Sequence, residues 1–191
     1  MNRAERVQTM TSLEHPIPEP VALDPRHFRT VLGNYPTGVV MITASEGEEP
    51  VGMVVGSFSS VSLDPPLVSF LATSTSPTQE RIQQAGRFCA NVLAADQEML
   101  CRKLARPGPG RFDGVEWELS SLGNPVLDGI VAWIDCSIHD VIEIGDHNLI
   151  VGRVHELRVA SSKTPLLFFR GQYGDYSSTA MLLLERLLEW Q

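Results

Sequence analysis

The stretch IVAWIDCSIHDVIEI-GDHN-LIVGRVHELRV, residues 130–159, decides the fold class. Ile130 to Ile144 alternates apolar and polar residues over most of its length, and Leu149 to Val159 does so again, the pattern of half-buried strands. Gly145-Asp146 stands between them, and both residue types accept the backbone angles of a tight turn. The pattern predicts a long β-hairpin with His147 at the rim of a sheet, where a small ligand could reach its imidazole. Read alone, His147 is simply an exposed turn residue.

Outward from the hairpin the chain stays mainly β. Gly38 to Ala44, Val51 to Ser60, Leu67 to Thr73, Arg87 to Leu93 and Leu166 to Arg170 are short runs rich in Val, Ile and Phe. Turn residues separate the first three: Glu46-Gly47-Glu48-Glu49-Pro50 and Asp64-Pro65-Pro66. The helices are brief. Asp24-Pro25 reads as a cap and first helical residue before Phe28, Val31, Leu32 and Tyr35, and Pro36 ends that helix. Ser76-Pro77 opens a helix that ends near Gly86, and Asp96 caps another that breaks at Pro107-Gly108-Pro109-Gly110. Many strands with short helices between them predict an antiparallel barrel, not a doubly wound sheet. Residues 1–23 read as a flexible arm, 24–176 as the domain, and 177–191 as a C-terminal helix with a broad apolar face that docks on the barrel or on a second subunit.

Composition narrows the function. At 191 residues and 43% hydrophobic, the chain suits one domain with a real core, and neither end reads as a membrane span or signal peptide. A net charge of -8 argues against nucleic-acid binding. Cys89, Cys101 and Cys136 are odd in number and lack metal-ligand spacing, so the expectation is no metal and a reduced cytoplasmic setting. G-x-G-x-x-G, P-loop and G-x-S-x-G motifs are absent.

Four stretches could line a cleft. Pro36-Thr37-Gly38-Val39 joins the first helix to a strand, and glycines in Val54 to Ser60 let a planar ring approach backbone. Thr73-Ser74-Thr75-Ser76-Pro77-Thr78 is hydroxyl-dense at a helix start, suited to a phosphate or to plain capping. Gly110-Arg111-Phe112-Asp113-Gly114 offers an Arg to the same anion, or a solvated loop charge.

Together these segments resemble the flavin reductase family of the FMN-binding split barrel, over about Phe28 to Tyr173. The resemblance rests on Phe28-Arg29-x-Val31-Leu32-Gly33, Pro36-Thr37-Gly38-Val39, Pro50-Val51-Gly52-Met53, and Ser57-Phe58-x-Ser60 through Pro65-Pro66-Leu67-Val68. It continues in Gly86-Arg87-Phe88-x-x-Asn91, Arg111-Phe112-x-Gly114, Pro125 to Gly129, Gly145-Asp146-His147 and Arg170-Gly171-x-Tyr173-Gly174. It implies a split barrel with a few flanking helices, a homodimer, and hydride transfer from NADH or NADPH to FMN or FAD that feeds a partner monooxygenase. A flavin-dependent oxidase or dehydrogenase on the same barrel, or a non-catalytic carrier of a planar ligand, is the alternative. It also implies roles for residues. Pro36, Thr37, Met53, Val54, Val55, Gly56 and Ser57 would line the ring; Ser74, Ser76, Arg111 and Phe112 would hold the phosphate end. Phe88 and Asn91 would support the wall, and His147, with Tyr173, would border the nicotinamide as the catalytic group. Val54-Val55-Gly56-Ser57 departs from the Thr-Ala-Asn-Ser-like run common in the family. Two polar side chains are missing there, and backbone N–H groups could serve the pyrimidine edge instead, because Gly56 allows close approach.

Overall fold

Gly145, at φ 61°, and Asp146 form a two-residue turn, so that Ile144 pairs directly with His147. The computed structural model describes residues 21–47 and 49–177, and its contacts divide the chain into residues 1–32 and 33–191. In the first unit α1 (Pro25–Leu32) starts as the sequence predicts: Asp24 Oδ1 accepts the Arg26 N–H at 3.1 Å. Residues 21–23 have no regular structure; the rest of the expected arm and residues 178–191 of the expected C-terminal helix lie outside the described residues.

The second unit is built on an antiparallel sheet. Its strands are β2 (Val40–Glu46), β3 (Glu49–Val55), β4 (Ser59–Leu63), β5 (Pro66–Thr73), β6 (Arg87–Val92), β9 (Ala132–Ile144) and β10 (His147–Val159), in the order β3-β2-β6-β9-β10-β5-β4. The β9–β10 hairpin is its spine, and β3 also touches β5. Two smaller sheets accompany it: β1 (Thr37–Gly38) with β11 (Leu167–Phe169) and β12 (Gln172–Gly174), and β7 (Trp117–Leu119) with β8 (Pro125–Leu127). The helices α2 (Pro77–Ala85) and α3 (Glu98–Leu104) complete it. Ser76 Oγ caps α2 by accepting the Gln79 N–H, and Gly86 closes it in the left-handed conformation at φ 66°.

Two cores lie on opposite faces of β2 and β6. One holds Ile42, Phe70, Phe88, Ile150 and Ile82 of α2, with Phe70 and Phe88 edge to face at 5.2 Å. The other holds Met41, Cys89, Leu93, Leu104, Trp133 and Leu166. Burial on both faces explains why β2 and β6 read as nearly continuous apolar runs. Each large side chain so buried contributes roughly 1.5–3 kcal/mol. Between the layers, Asp135 Oδ1 accepts from Asn124 Nδ2 at 2.7 Å and Oδ2 from the Leu122 N–H at 3.1 Å, while the buried Asn124 Oδ1 has no partner among the described residues.

Two local expectations change. The run Val51 to Ser60 is two strands broken at residues 56–58, not one. Asp96 makes no cap; it pairs with Lys163 Nζ at 2.7 Å, and a short 3₁₀ turn, Ala95–Gln97, leads into α3. Strands β7, β8 and β12 are too short to show a period in sequence.

Candidate functional site

The break at Gly56-Ser57-Phe58 sits between two walls. Toward the first, a Cβ added to Gly56 would lie 2.8 Å from Thr37 Oγ1. Thr37 pairs with Phe168, which pairs with Tyr173, so one row crosses β1, β11 and β12. Toward the second, Ser57 Oγ donates to the Leu71 carbonyl at 3.2 Å and accepts its N–H at 3.0 Å. The N–H groups of Ser57 and Phe58 have no acceptor among the described residues. They remain as donors to which no described residue offers an acceptor.

Further along β5 lies the hydroxyl-rich segment. Ser74 donates through both Oγ and its N–H to the Asp146 carbonyl, each at 3.1 Å, which ties the start of α2 to the hairpin turn. Ser74 Oγ keeps its acceptor sites, and Ser76 Oγ keeps its proton while capping α2. Arg111 reaches the same helix, with Nη2 3.4 Å from Thr78 Oγ1 and Nη1 3.4 Å from the Leu104 carbonyl. Burial, and then the neighbouring Arg81, pull its guanidinium below the usual arginine range. A cleft of about 790 Å³ opens here, lined by Thr78, Arg81, Arg111, Phe112 and Trp117 among others.

His147 opens β10 opposite Thr73, with its side chain 41% exposed. Its Nδ1 lies 2.7 Å from Asp146 Oδ1, and that hydrogen bond holds the Asp146 carboxyl below the usual carboxylate range. Fixing Nδ1 leaves Nε2 as the ring nitrogen open to a ligand. Tyr173 belongs to the other wall. Its hydroxyl meets Cys101 Sγ at 3.3 Å, Arg102 stands 4.7 Å from its ring centre, and burial pushes the phenol up to about 12. With Pro36 it lines a cleft of about 330 Å³.

Not every expected site residue reaches a surface. Phe88 and Asn91 are 0% exposed and Val55 only 7%. Phe88 fills the inner core against Gly152 and Phe70. Asn91 joins three elements: Nδ2 donates to Thr43 Oγ1 at 2.9 Å and to the Met41 carbonyl at 3.2 Å, while Oδ1 accepts the Leu127 N–H at 2.9 Å. Phe88 and Asn91 hold the sheet in shape from inside the core. Met53 packs on the inner core and Val54 on the outer one, both partly exposed. Thr78, Arg81 and Trp117 of the large cleft were not singled out from sequence; Thr78 alone had a signal, as the last hydroxyl of the helix-start run.

Taken together the residues offer oriented backbone donors, hydroxyls, a guanidinium and one imidazole. Among the described residues no group of His, Cys, Asp and Glu is arranged to hold a metal. This equipment suits binding a planar, anionic ligand and stabilising charge that develops on its edge.

Comparison with known proteins agrees. Residues 32–177 match the family model described as the flavin reductase like domain. A flavin reductase from Pseudomonas putida is 48% identical over 158 residues, covering 82% of this chain and 93% of that protein. The reductase subunit HsaB of a flavin-dependent monooxygenase from Rhodococcus jostii is 47% identical over 152 residues, 80% of this chain and 78% of that one. Among solved structures, a nitrilotriacetate monooxygenase component B homologue from Mycobacterium thermoresistibile superposes with a TM-score of 0.77 at 42% identity, covering 80% and 86% of the two chains. The Streptomyces globisporus NADH:FAD oxidoreductase SgcE6, in complex with NAD and FAD fragments, gives 0.77 at 34% identity over 84% and 99%.

Proposed function

The chain belongs to the flavin reductase like family, and from that membership we propose that it takes a hydride from NADH, reduces a flavin and supplies it to a separate monooxygenase. The observation that carries the site assignment is the break after β3, where two N–H groups without an acceptor among the described residues stand between Thr37 and Leu71.

The fit of a flavin to these residues is physical. Gly56 has no side chain, which lets Thr37 close against the backbone at the break, and the Ser57 and Phe58 N–H groups match the acceptors of a pyrimidine edge. A bound flavin supplies the two-electron chemistry itself. The chain binds and orients it: Ser57 and Phe58 at the ring, Ser74, Ser76 and Arg111 at the phosphate. Each charge-assisted contact to that phosphate contributes roughly 1.5–3 kcal/mol. His147, its Nδ1 tethered to Asp146, leaves Nε2 free and would orient the nicotinamide. The role needs a fixed imidazole and oriented donors, not a nucleophile.

A homodimer is part of the reading. Leu71, Leu149 and Ile142 stand opposite one another across β5, β10 and β9, with Leu71 37% and Ile142 43% exposed. Such an apolar row on a sheet face supports burial against a second copy. Buried free thiols support a reducing, cytoplasmic setting, and no described helix is long and apolar enough to cross a membrane.

Purified protein tests the reading. With FMN or FAD bound, NADH should bleach the yellow colour and air should restore it. Flavin binding without bleaching points to an oxidase or a carrier, and the absence of any flavin-dependent NADH oxidation defeats the proposal.

A further inference from the structure

Asn148 follows His147 on β10, so the two side chains point to opposite faces of the sheet. On its face Asn148 stands opposite Ala72 of β5 and two residues before Ile150, at the end of the inner core. Its Nδ2 donates to Gln79 Oε1 of α2 at 3.2 Å, and its buried Oδ1 has no partner among the described residues. Gln79 is itself only 3% exposed.

Neither side chain serves its own element. Ser76-x-x-Gln79 spells a capping box, in which the glutamine turns back to the N–H of the cap residue. Here the Ser76 N–H already donates to the Thr73 carbonyl at 2.9 Å, and the Gln79 side chain crosses to β10 instead. An apolar pair of similar size would bury as much surface and leave no orphaned acceptor, so packing alone does not account for the amides. What they add is direction and length, because a hydrogen bond fixes both and apolar contact fixes neither.

The elements so joined carry the two ends of the proposed site. Helix α2 packs on β2, β3 and β6, and its start holds the hydroxyls assigned to the flavin phosphate. Strand β10 carries His147. Among the described residues two polar ties join them. Ser74 to the Asp146 carbonyl is exposed and open to exchange with water; Gln79 to Asn148 is the more buried of the two.

Resting on the reductase reading for the roles of those two ends, we propose that Gln79 and Asn148 are positioning residues for hydride transfer. They touch no cofactor. They hold the start of α2 and the backbone of His147 at a fixed separation, so that a flavin anchored by its phosphate and a nicotinamide oriented by the imidazole meet at reaction distance.

The test separates position from stability. In the full chain, Gln79→Met combined with Asn148→Leu replaces the amides by an apolar pair. Its urea midpoint should equal or exceed that of wild type, because both partners of the hydrogen bond and the orphaned acceptor are removed together. Its FMN dissociation constant should stay that of wild type. Bleaching of bound FMN by NADH, followed by stopped flow, should nonetheless slow by about ten- to a hundredfold, the scale of a misplacement of about 1 Å between reacting groups. Added to His147→Ala, the same pair should cause no further loss, since it acts through the imidazole. Gln79→Met alone, which removes the acceptor, carries the test if the double variant does not fold. A loss that adds in full to that of His147→Ala, or one confined to FMN affinity, overturns the proposal. Equal bleaching rates in wild type and the apolar variant overturn it and leave the reductase reading standing. Wild-type protein whose flavin NADH does not bleach overturns both.

Discussion

A Cβ on Gly56 would sit 2.8 Å from Thr37 Oγ1, so the end of β3 and the start of β1 are fitted around a residue with no side chain. Gly56→Ala must rotate the Thr37 hydroxyl or move the two backbones apart by a few tenths of an ångström. The hydroxyl can give, so stability should fall by only about 1 kcal/mol. Flavin affinity should fall several-fold, because the displaced Thr37 and Gly56 backbones carry the neighbouring Ser57 and Phe58 N–H groups out of position. Flavin titration beside urea unfolding measures both, and Gly56→Ala binding flavin as tightly as wild type would remove Gly56 from the ring site.

Asn91 should behave as architecture. Asn91→Leu keeps much of the volume but strips the buried Leu127 N–H of its acceptor and the Thr43 oxygen of one donor. The expected cost is about 2–4 kcal/mol, read as a lower urea midpoint at unchanged slope. A loss of flavin affinity with full stability would instead place Asn91 against the ligand.

His147→Ala should raise the KM for NADH or slow hydride transfer while leaving the flavin dissociation constant little changed. Nicotinamide kinetics that do not respond would end the catalytic assignment.

The Asp146 carboxyl should report the same contact. Its pKa is lowered in the folded protein, first by the His147 hydrogen bond and then by the imidazole's charge. The pairing is therefore present above the ordinary aspartate value near 3.9 and lost as pH falls through the lowered one. Salt should weaken it, because the group is fully exposed. In an NMR titration the Asp146 carboxyl should move up toward its ordinary value in His147→Ala; identical curves would refute the contact.

The three thiols should be silent in the native state. Cys89, Cys101 and Cys136 are each 0% exposed, and burial raises all three, Cys136 to about 12 and Cys89 further. At pH 8 they are neutral and shielded, so a disulfide reagent should label none until the protein unfolds and then all three. Because the folded thiol pKa values lie above the unfolded value near 8.5, stability should be complete below that pH and decline as pH rises toward them.

What the sequence revealed followed the range of the interactions concerned. The Gly145-Asp146 turn and the Ser76-to-Gly86 helix depend on neighbours within four residues, and both appear where the chain predicts them. The strand break at residues 56–58 was hidden because the partner that Ser57 engages there is Leu71, fourteen residues away. Asp96 carried a good capping signal and lost it to Lys163, at a separation of 67 residues. The alternation in β9 pointed Cys136 inward correctly but could not show that Trp133 and Asp135 face a second buried layer under β7 and β8. For the site, Ser74, Ser76 and Arg111 were legible as a group from residue type; that Ser74 is tied to the hairpin turn carrying His147 was not.

The Ser57 hydroxyl engages both hydrogen-bonding groups of Leu71, as a neighbouring strand would at that position. A strand edge left bare invites pairing with another chain. Here one side chain shuts that edge while the peptide groups beside it stay open. The sheet thus has a window with a sealed sill: what the window admits can vary through residues 54–58 without exposing an adhesive surface. Selectivity and protection from self-association are assigned to different atoms of the same short segment, so either can change without the other.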